Sequence, residues 1–401
     1  MDQKTTPIEI KNSSFGAPMP KIKVVGLGGG GCNAVNRMIE FGMKGVTFIA
    51  CNTDRQALDS SLADITIQLG PKCTRGLGAG GLPAIGEKAA EESFQALANA
   101  LEGADMVFLT AGMGGGTGTG AIPVAARASK SLGAVTIAVV TTPFSFEMGR
   151  RQKNAVIGLQ KLRQYTDTMI TVSNDRLLDV APPDLPLEMA FKLADDVLRQ
   201  GVSGIAELLT ETGLINVDFA HVRHVMSLGG GALMAIGTGA GEDKANKALQ
   251  KALHHPMLDE IHLDAAAGII ANFSGGDDLT FSEVADTLNY LHQEAGNQTE
   301  IIPGVISDPN LTNRAQVILI VTGLGALPIE QAIPGAERFL AEIAAQEQQE
   351  QGKQKHEPEN KRDEFHSPTS RPGSYSFSES RPAMASTDLD VPAFLRKRIR
   401  S

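Results

Sequence analysis

Two glycine-dominated segments carry most of the chemical information in this sequence. The first, Gly26-Leu27-Gly28-Gly29-Gly30-Gly31-Cys32-Asn33, follows a short apolar run and leads into a helical pattern. A loop without Cβ atoms lets its backbone approach a phosphate and offer several N–H groups, and the positive end of the following helix adds to the attraction. Gly26, Gly28 and Gly31 also satisfy Gly-x-Gly-x-x-Gly, and Asp54 closes the second strand region, where a ribose-binding acid would sit. On these residues alone, a nicotinamide- or flavin-dependent oxidoreductase fits equally well. The second segment, Ala111-Gly112-Met113-Gly114-Gly115-Gly116-Thr117-Gly118-Thr119-Gly120, interleaves two threonines with glycines and so adds hydroxyls to the amides. A third loop, Gly76-Leu77-Gly78-Ala79-Gly80-Gly81, lies between them. A dinucleotide enzyme needs one such turn, whereas three could surround a triphosphate from several sides. No Gly-x-x-x-x-Gly-Lys-Ser/Thr sequence occurs, so this is not the Walker arrangement.

The elements that must hold these loops alternate in kind. Ile22–Gly26, Thr47–Cys51, Met106–Leu109, Val135–Val140 and Met169–Val172 read as buried strands, and Asn33–Phe41, Ala84–Leu101, Ile122–Leu132 and Gln152–Gln164 as the helices between them. Such alternation predicts an α/β fold, a parallel sheet covered by helices on both faces. A long central helix is expected from Leu187 to Thr210, opened by Pro186 and keeping Ala190, Leu193, Val197, Ile205 and Leu208 at helical spacing. A smaller α+β C-terminal domain follows, with helices at Lys244–Leu253 and Phe281–Ala295 and strands at Ala267–Phe273 and Gln316–Val321. From about Ala345 the chain turns rich in Gln, Glu, Lys, Ser and Pro, a composition that predicts a disordered tail.

Composition narrows the possibilities. Of 401 residues 42% are apolar, enough for a large core, and with no Trp and only 3 Tyr that core must be mainly aliphatic. The 43 glycines follow no fibrous period, which makes them a site signal. A formal net charge of −10 argues against nucleic acid as partner. Cys32, Cys51 and Cys73 show neither bridge nor metal-ligand spacing, so a reducing compartment is expected. The polar N-terminus and the lack of any apolar run of membrane-spanning length lead to the expectation of a cytoplasmic protein without direct membrane insertion.

The run Gly114–Gly120, GGGTGTG, resembles the signature of the tubulin and FtsZ family, and the similarity extends from about Lys21 to Thr322 and resumes at the terminal peptide. The resemblance implies a GTPase that binds GTP or GDP with Mg2+, polymerises with itself and serves cell division at the division site. It implies that Gly29, Gly30, Gly31, Cys32 and Asn33 hold phosphates together with Gly116, Thr117 and Gly118. By the same resemblance Glu147 and Arg151 hold the ribose and nearby phosphate, Asn174 and Asp196 read guanine, and Phe191 stacks beside it. A carboxylate accepting from the N1 and N2 donors of guanine would reject adenine. The expected division is an arm (1–20), a GTP-binding domain (21–185), the central helix (186–212), the α+β domain with a hydrolysis loop (213–330), the end of the fold and a linker (331–386), and a partner-binding peptide (387–401).

The segment Thr212–Arg223 resembles the loop that family members insert into the nucleotide site of the next subunit, with Asn216, Asp218 and His221 at its polar positions. His221 stands where the family carries an acid that orients the attacking water. Two outcomes follow: hydrolysis with the pH dependence of an imidazole base, or slowed hydrolysis and a GTP-binding filament scaffold. Leu311–Ala315 also departs from the family, which more often has acidic residues there. By resemblance, residues 390–398, where Val391, Phe394 and Leu395 adjoin Arg396, Lys397 and Arg398, dock on membrane-tethering division adaptors.

Overall fold

Runs of Val, Ile, Ala and Thr bounded by glycine or aspartate become the strands β1 (Ile22–Leu27), β2 (Val46–Asn52), β3 (Ile65–Gln68), β4 (Met106–Gly112), β5 (Val135–Thr142) and β6 (Thr168–Ser173). The computed structural model describes residues 19–354 except 148, 180, 181, 183, 211–214, 216, 230, 256–262, 297, 298, 325–332 and 334. The six strands pair in parallel in the order β3-β2-β1-β4-β5-β6. Successive residues of β1 enter different cores: Val24 packs with Phe48, Phe108 and Ile137 on one face, Val25 with Ile49, Val107 and Leu109 on the other. Both faces are therefore buried, which explains why these strands read as continuous apolar runs.

The first face is covered by α1 (Gly28–Glu40) and α8 (Leu187–Thr210), the second by α3 (Pro83–Glu92), α4 (Phe94–Leu101), α5 (Thr117–Ser131) and α6 (Arg150–Arg163). Two short helices, α2 (Arg55–Asp59) and α7 (Asn174–Asp179), follow β2 and β6. The single helix expected over Ala84–Leu101 is two, interrupted at Ser93, whose hydroxyl accepts from the Gly70 amide at 3.0 Å.

Beyond α8 come α9 (Phe219–Ser227), β7 (Gly231–Ala240), α10 (Lys244–Leu253), β8 (Gly268–Gly275), α11 (Phe281–Ala295), β9 (Glu300–Ser307), β10 (Arg314–Thr322) and α12 (Ala336–Gln354). Strand β7 continues the sheet through a short parallel pairing with β6, and the order β7-β10-β8-β9 completes it. Here β10 runs antiparallel to both β7 and β8, so this part is mixed. Helix α8 spans Leu187–Thr210 within the segment expected as the central helix, and the expected boundary at 212/213 lies outside the described residues. Helix α12 is held at its start by Ala336 and Phe339 in the second core, and its helical backbone runs on past Ala345 to Gln354. Residues 1–18, the remaining linker and the terminal peptide 390–398 lie outside the described residues. Among the described residues no helix is long and apolar enough to cross a membrane.

Candidate nucleotide-binding cleft

The order of the six parallel strands reverses direction between β1 and β4, and the crevice beyond the carboxyl ends of strands at such a switch is where α/β sheets bind ligands. A cleft of about 410 Å³ opens there, lined by residues that follow β1, β4, β5 and β6 and by one face of α8. Helices α1 and α5 begin directly at its wall, and neither N-cap residue supplies a side-chain hydrogen bond to the first turn. Two sets of helix-end amides thus face one cavity, with both helix dipoles favouring an anion.

Close backbone approach explains the glycines. Gly28 has φ +71°, and a Cβ there would lie 2.7 Å from the Gly118 amide nitrogen, so the first and second loops touch. A Cβ on Gly116 would lie 2.8 Å from Leu82 N at the start of α3, which brings the end of the third loop against the second. Thr53 and Thr117 share a hydroxyl hydrogen bond of 2.6 Å, and the Gly114 amide donates to Thr119 Oγ1 at 2.8 Å. Asn154 of α6 donates to the Gly114 carbonyl at 3.1 Å. The loops are held by one another, so little ordering remains when an anion enters.

The opposite wall is aromatic and acidic. Glu147 accepts from the Phe144 amide at 3.0 Å and pairs with Arg151 one helical turn on. Phe144 stacks on Phe146 and meets the edge of Phe191 at 5.3 Å, leaving Phe191 40% exposed beside the cavity. Asn174, 5% exposed, has an Oδ1 without a hydrogen-bond partner among the described residues, an acceptor open to the cleft. Asp195 lies 3.5 Å from Arg37 of α1, and burial raises its carboxyl to about 6 against the opposing pull of that guanidinium.

Of the residues expected at the site, Gly29, Gly30, Asn33, Gly116, Thr117, Gly118, Glu147, Arg151, Asn174 and Phe191 line this one cleft. Gly31 and Cys32 lie behind the loop. A Cβ on Gly31 would overlap the Thr110 carbonyl oxygen, and Cys32 is buried with Sγ 3.7 Å from the carbonyls of Gly26 and Cys51. Asp196 does not line the cleft, because its carboxylate is bound by Arg199 at 2.7 Å and by Gln200; Asp195 lines it instead. Helical spacing carries the signal for this: Asp195 stands four residues after Phe191 and shares its face, whereas Asp196 is turned a further ~100°. Thr141 is a further cleft residue that sequence reading missed.

The expected hydrolysis residues lie elsewhere. Asn216 is outside the described residues. Asp218 is the N-cap of α9, accepting from the Ala220 amide at 3.2 Å, and His221 is exposed in the first turn. Helix α9 sits at the starting ends of the parallel strands, where Thr168, the first residue of β6, donates its hydroxyl to the Met226 carbonyl. The cleft is at the other end of that strand, beyond Ser173.

Comparison with known proteins agrees with this arrangement. The sequence matches the GTPase domain of the Tubulin/FtsZ family over residues 21–182 and the C-terminal domain of the FtsZ family over residues 230–325. An empty FtsZ dimer from M. jannaschii is 45% identical, with a TM-score of 0.72 over 76% of this chain and 88% of that one. CetZ2 from Haloferax volcanii, a GTPγS-bound protofilament, shares the fold at 19% identity, with a TM-score of 0.67 over 81% of this chain and 99% of that one. The chain belongs to the tubulin/FtsZ family and is a GTPase. Within that family the FtsZ C-terminal domain match and the 45% identical neighbour place it with FtsZ.

Proposed function

We propose that this protein assembles head to tail into cytoplasmic filaments for cell division and hydrolyses GTP at the seam between consecutive copies. One observation carries the reading: Asp218 and His221 lie at the opposite end of the parallel strands from the cleft. Along α8 alone, Asp195 and Thr210 are separated by about 22 Å at 1.5 Å per residue. Within one copy these groups cannot reach a phosphate in the cleft, whereas the α9 end of a second copy stacked above it can. Such a head-to-tail contact is heterologous and builds an open filament. The M. jannaschii neighbour, solved as a dimer, supports self-association.

In the bound state the amides of Gly29, Gly30 and Gly116 to Gly118 hold the phosphates. Arg151 and Glu147 hold the ribose side, Asn174 and Asp195 read guanine, and Phe191 packs against the base. Magnesium enters with the triphosphate. Among the described residues no three acidic, His or Cys side chains converge as a metal site; the cleft carboxylates Glu147 and Asp195 are paired with Arg151 and Arg37, and Thr117 and Thr141 add neutral oxygens. That donor set fits an ion held mostly by phosphate oxygens and water, whose charge would stabilise the transferring phosphoryl group. Asp218 and Asn216 of the next copy position the attacking water, and residues 390–398 dock on membrane-tethering adaptors.

The exposed His221 favours a second reading, a GTP-binding filament scaffold with weak hydrolysis. Sedimentation with GTP and magnesium, with phosphate release measured in parallel over a range of protein concentrations, tests both. Turnover per copy that rises with assembly supports the enzyme, and sedimentation with little phosphate supports the scaffold. Equal turnover at every dilution overturns the seam.

A further inference from the structure

Helix α1 reaches the cleft twice. Its first turn forms the phosphate wall, and in its last turn Arg37 points across to α8 and pairs with Asp195. Arg37 does not itself line the cleft, so its link to the site runs through Asp195, which does. Both partners are largely shielded, with side-chain exposures of 24% and 17%. Asp195 therefore faces the base while a fixed cation stands behind it. We infer that Arg37 is a positioning residue for guanine selectivity, which orients the Asp195 carboxylate and keeps it in its ionised, acceptor-only form. This rests on the proposed reading of the cleft as a guanine site.

The chemistry is specific to that purine. Guanine presents two neighbouring donors, N1–H and the N2 amine, and only an ionised carboxylate accepts from both at once. A protonated carboxyl turns one acceptor into a donor and meets guanine with a mismatch. Burial pushes Asp195 toward the protonated form, and the adjacent Asp196 pushes the same way from α8. Arg37 is the charged group that opposes them from α1. The Asp196 carboxylate is itself engaged by Arg199, whose guanidinium lies over the Phe41 ring at 4.4 Å, so neither of those two groups is free to replace Arg37.

The test compares native protein with Arg37→Met, which keeps an apolar stem of similar reach, and Arg37→Lys, which keeps the charge. GDP affinity is measured from about pH 5.5 to about pH 8.5, spanning the range in which the carboxyl changes state. Ionisation of the nucleotide's own phosphate is common to all three and cancels in the ratio. In native protein affinity falls as pH drops through about 6, the range in which Asp195 takes up its proton. For Arg37→Met the midpoint of that fall moves up by roughly one pH unit or more, the usual effect of an opposite charge at this distance. Affinity is then weaker by about twofold or more near neutrality and native-like at the alkaline end, and Arg37→Lys restores most of the native profile. A loss of equal size at every pH, or no loss at all, overturns the inference. Asp195→Asn in the same assay separates this failure from failure of the cleft reading. Should Asp195→Asn bind GDP with native affinity and native pH dependence, the guanine site itself is wrong. Should Asp195→Asn flatten the acid limb while Arg37→Met leaves it in place, only the role of Arg37 falls.

Discussion

Replacing Asp195 by Asn tests base recognition with a change of a single atom type. In the proposed guanine site the native carboxylate accepts from two donors of the base. In the variant one oxygen becomes an NH2 group facing the N2 amine, donor against donor, and the Arg37 guanidinium loses its anionic partner. A hydrogen bond to a charged group contributes about 1.5–3 kcal/mol, so GTP affinity should fall by roughly 10- to 150-fold. Xanthine carries a carbonyl where guanine has the amine. The substituted amide can accept from N1–H and donate to that carbonyl, so XTP should bind the variant better than GTP does, reversing the native order. Asp196→Asn is the matched control. Its carboxylate is spent on Arg199 and Gln200 within α8, and its loss should change either affinity by less than about twofold, as for most partly exposed ion pairs. Competition of GTP and XTP against a fluorescent guanine nucleotide reads all six values, for native protein and both variants. The reasoning is refuted if Asp195→Asn keeps its preference for GTP, or if Asp196→Asn is the variant that switches.

Other perturbations probe other links. Gly28→Ala forces a Cβ to within 2.7 Å of Gly118 N at a φ of +71°, so the two phosphate loops should separate and GTP affinity drop by at least about tenfold in an equilibrium binding assay. His221→Asp restores the acid that the family resemblance leads one to expect, and phosphate release per assembled copy should rise several-fold; an unchanged rate removes His221 from the chemistry. Lys244 is buried and shared between Asp278 and Glu283, so Lys244→Ala should cost about 2–4 kcal/mol in thermal or urea unfolding while leaving nucleotide affinity unchanged.

Much of this was readable in advance because parallel strands buried on both faces must be apolar runs, and loops whose backbones approach one another closely must be glycine. Helix α8 begins and ends at the residues its periodicity indicates, Leu187 and Thr210. Helices α1 and α5 instead begin at Gly28 and Thr117, ahead of the Asn33 and Ile122 at which the apolar pattern starts, since glycine has poor helix propensity and hides a helical turn imposed by tertiary contact. Strand β7 was hidden by its Gly and Ala content. The glycines at 237 and 239 are there because α10 packs on them at backbone distance. Strand β9 contains Pro303 and Gly304, which read as a loop and are tolerated because β9 is the outer strand of the sheet. Helix α12 was obscured by its Gln- and Glu-rich second half. In the cleft, the glycines and Thr117 that line it were evident from type alone, whereas Gly31 and Cys32, of the same run, lie behind the loop. Choosing between adjacent aspartates needed the direction in which each side chain leaves α8, and the link from Arg37 to Asp195 joins residues far apart in sequence.

The central claim is that a cleft on one copy is completed by α9 of another, and mixing two inactive variants tests it most directly. Gly118→Val blocks the cleft but leaves α9 intact. Asp218→Asn keeps an N-cap and an open cleft but removes the carboxylate. Alone, each should release little phosphate. Combined in equal amounts, they should exceed the sum of the two, approaching about a quarter of native turnover if copies join at random through a heterologous contact. Phosphate release that never rises above that sum would contradict the shared site.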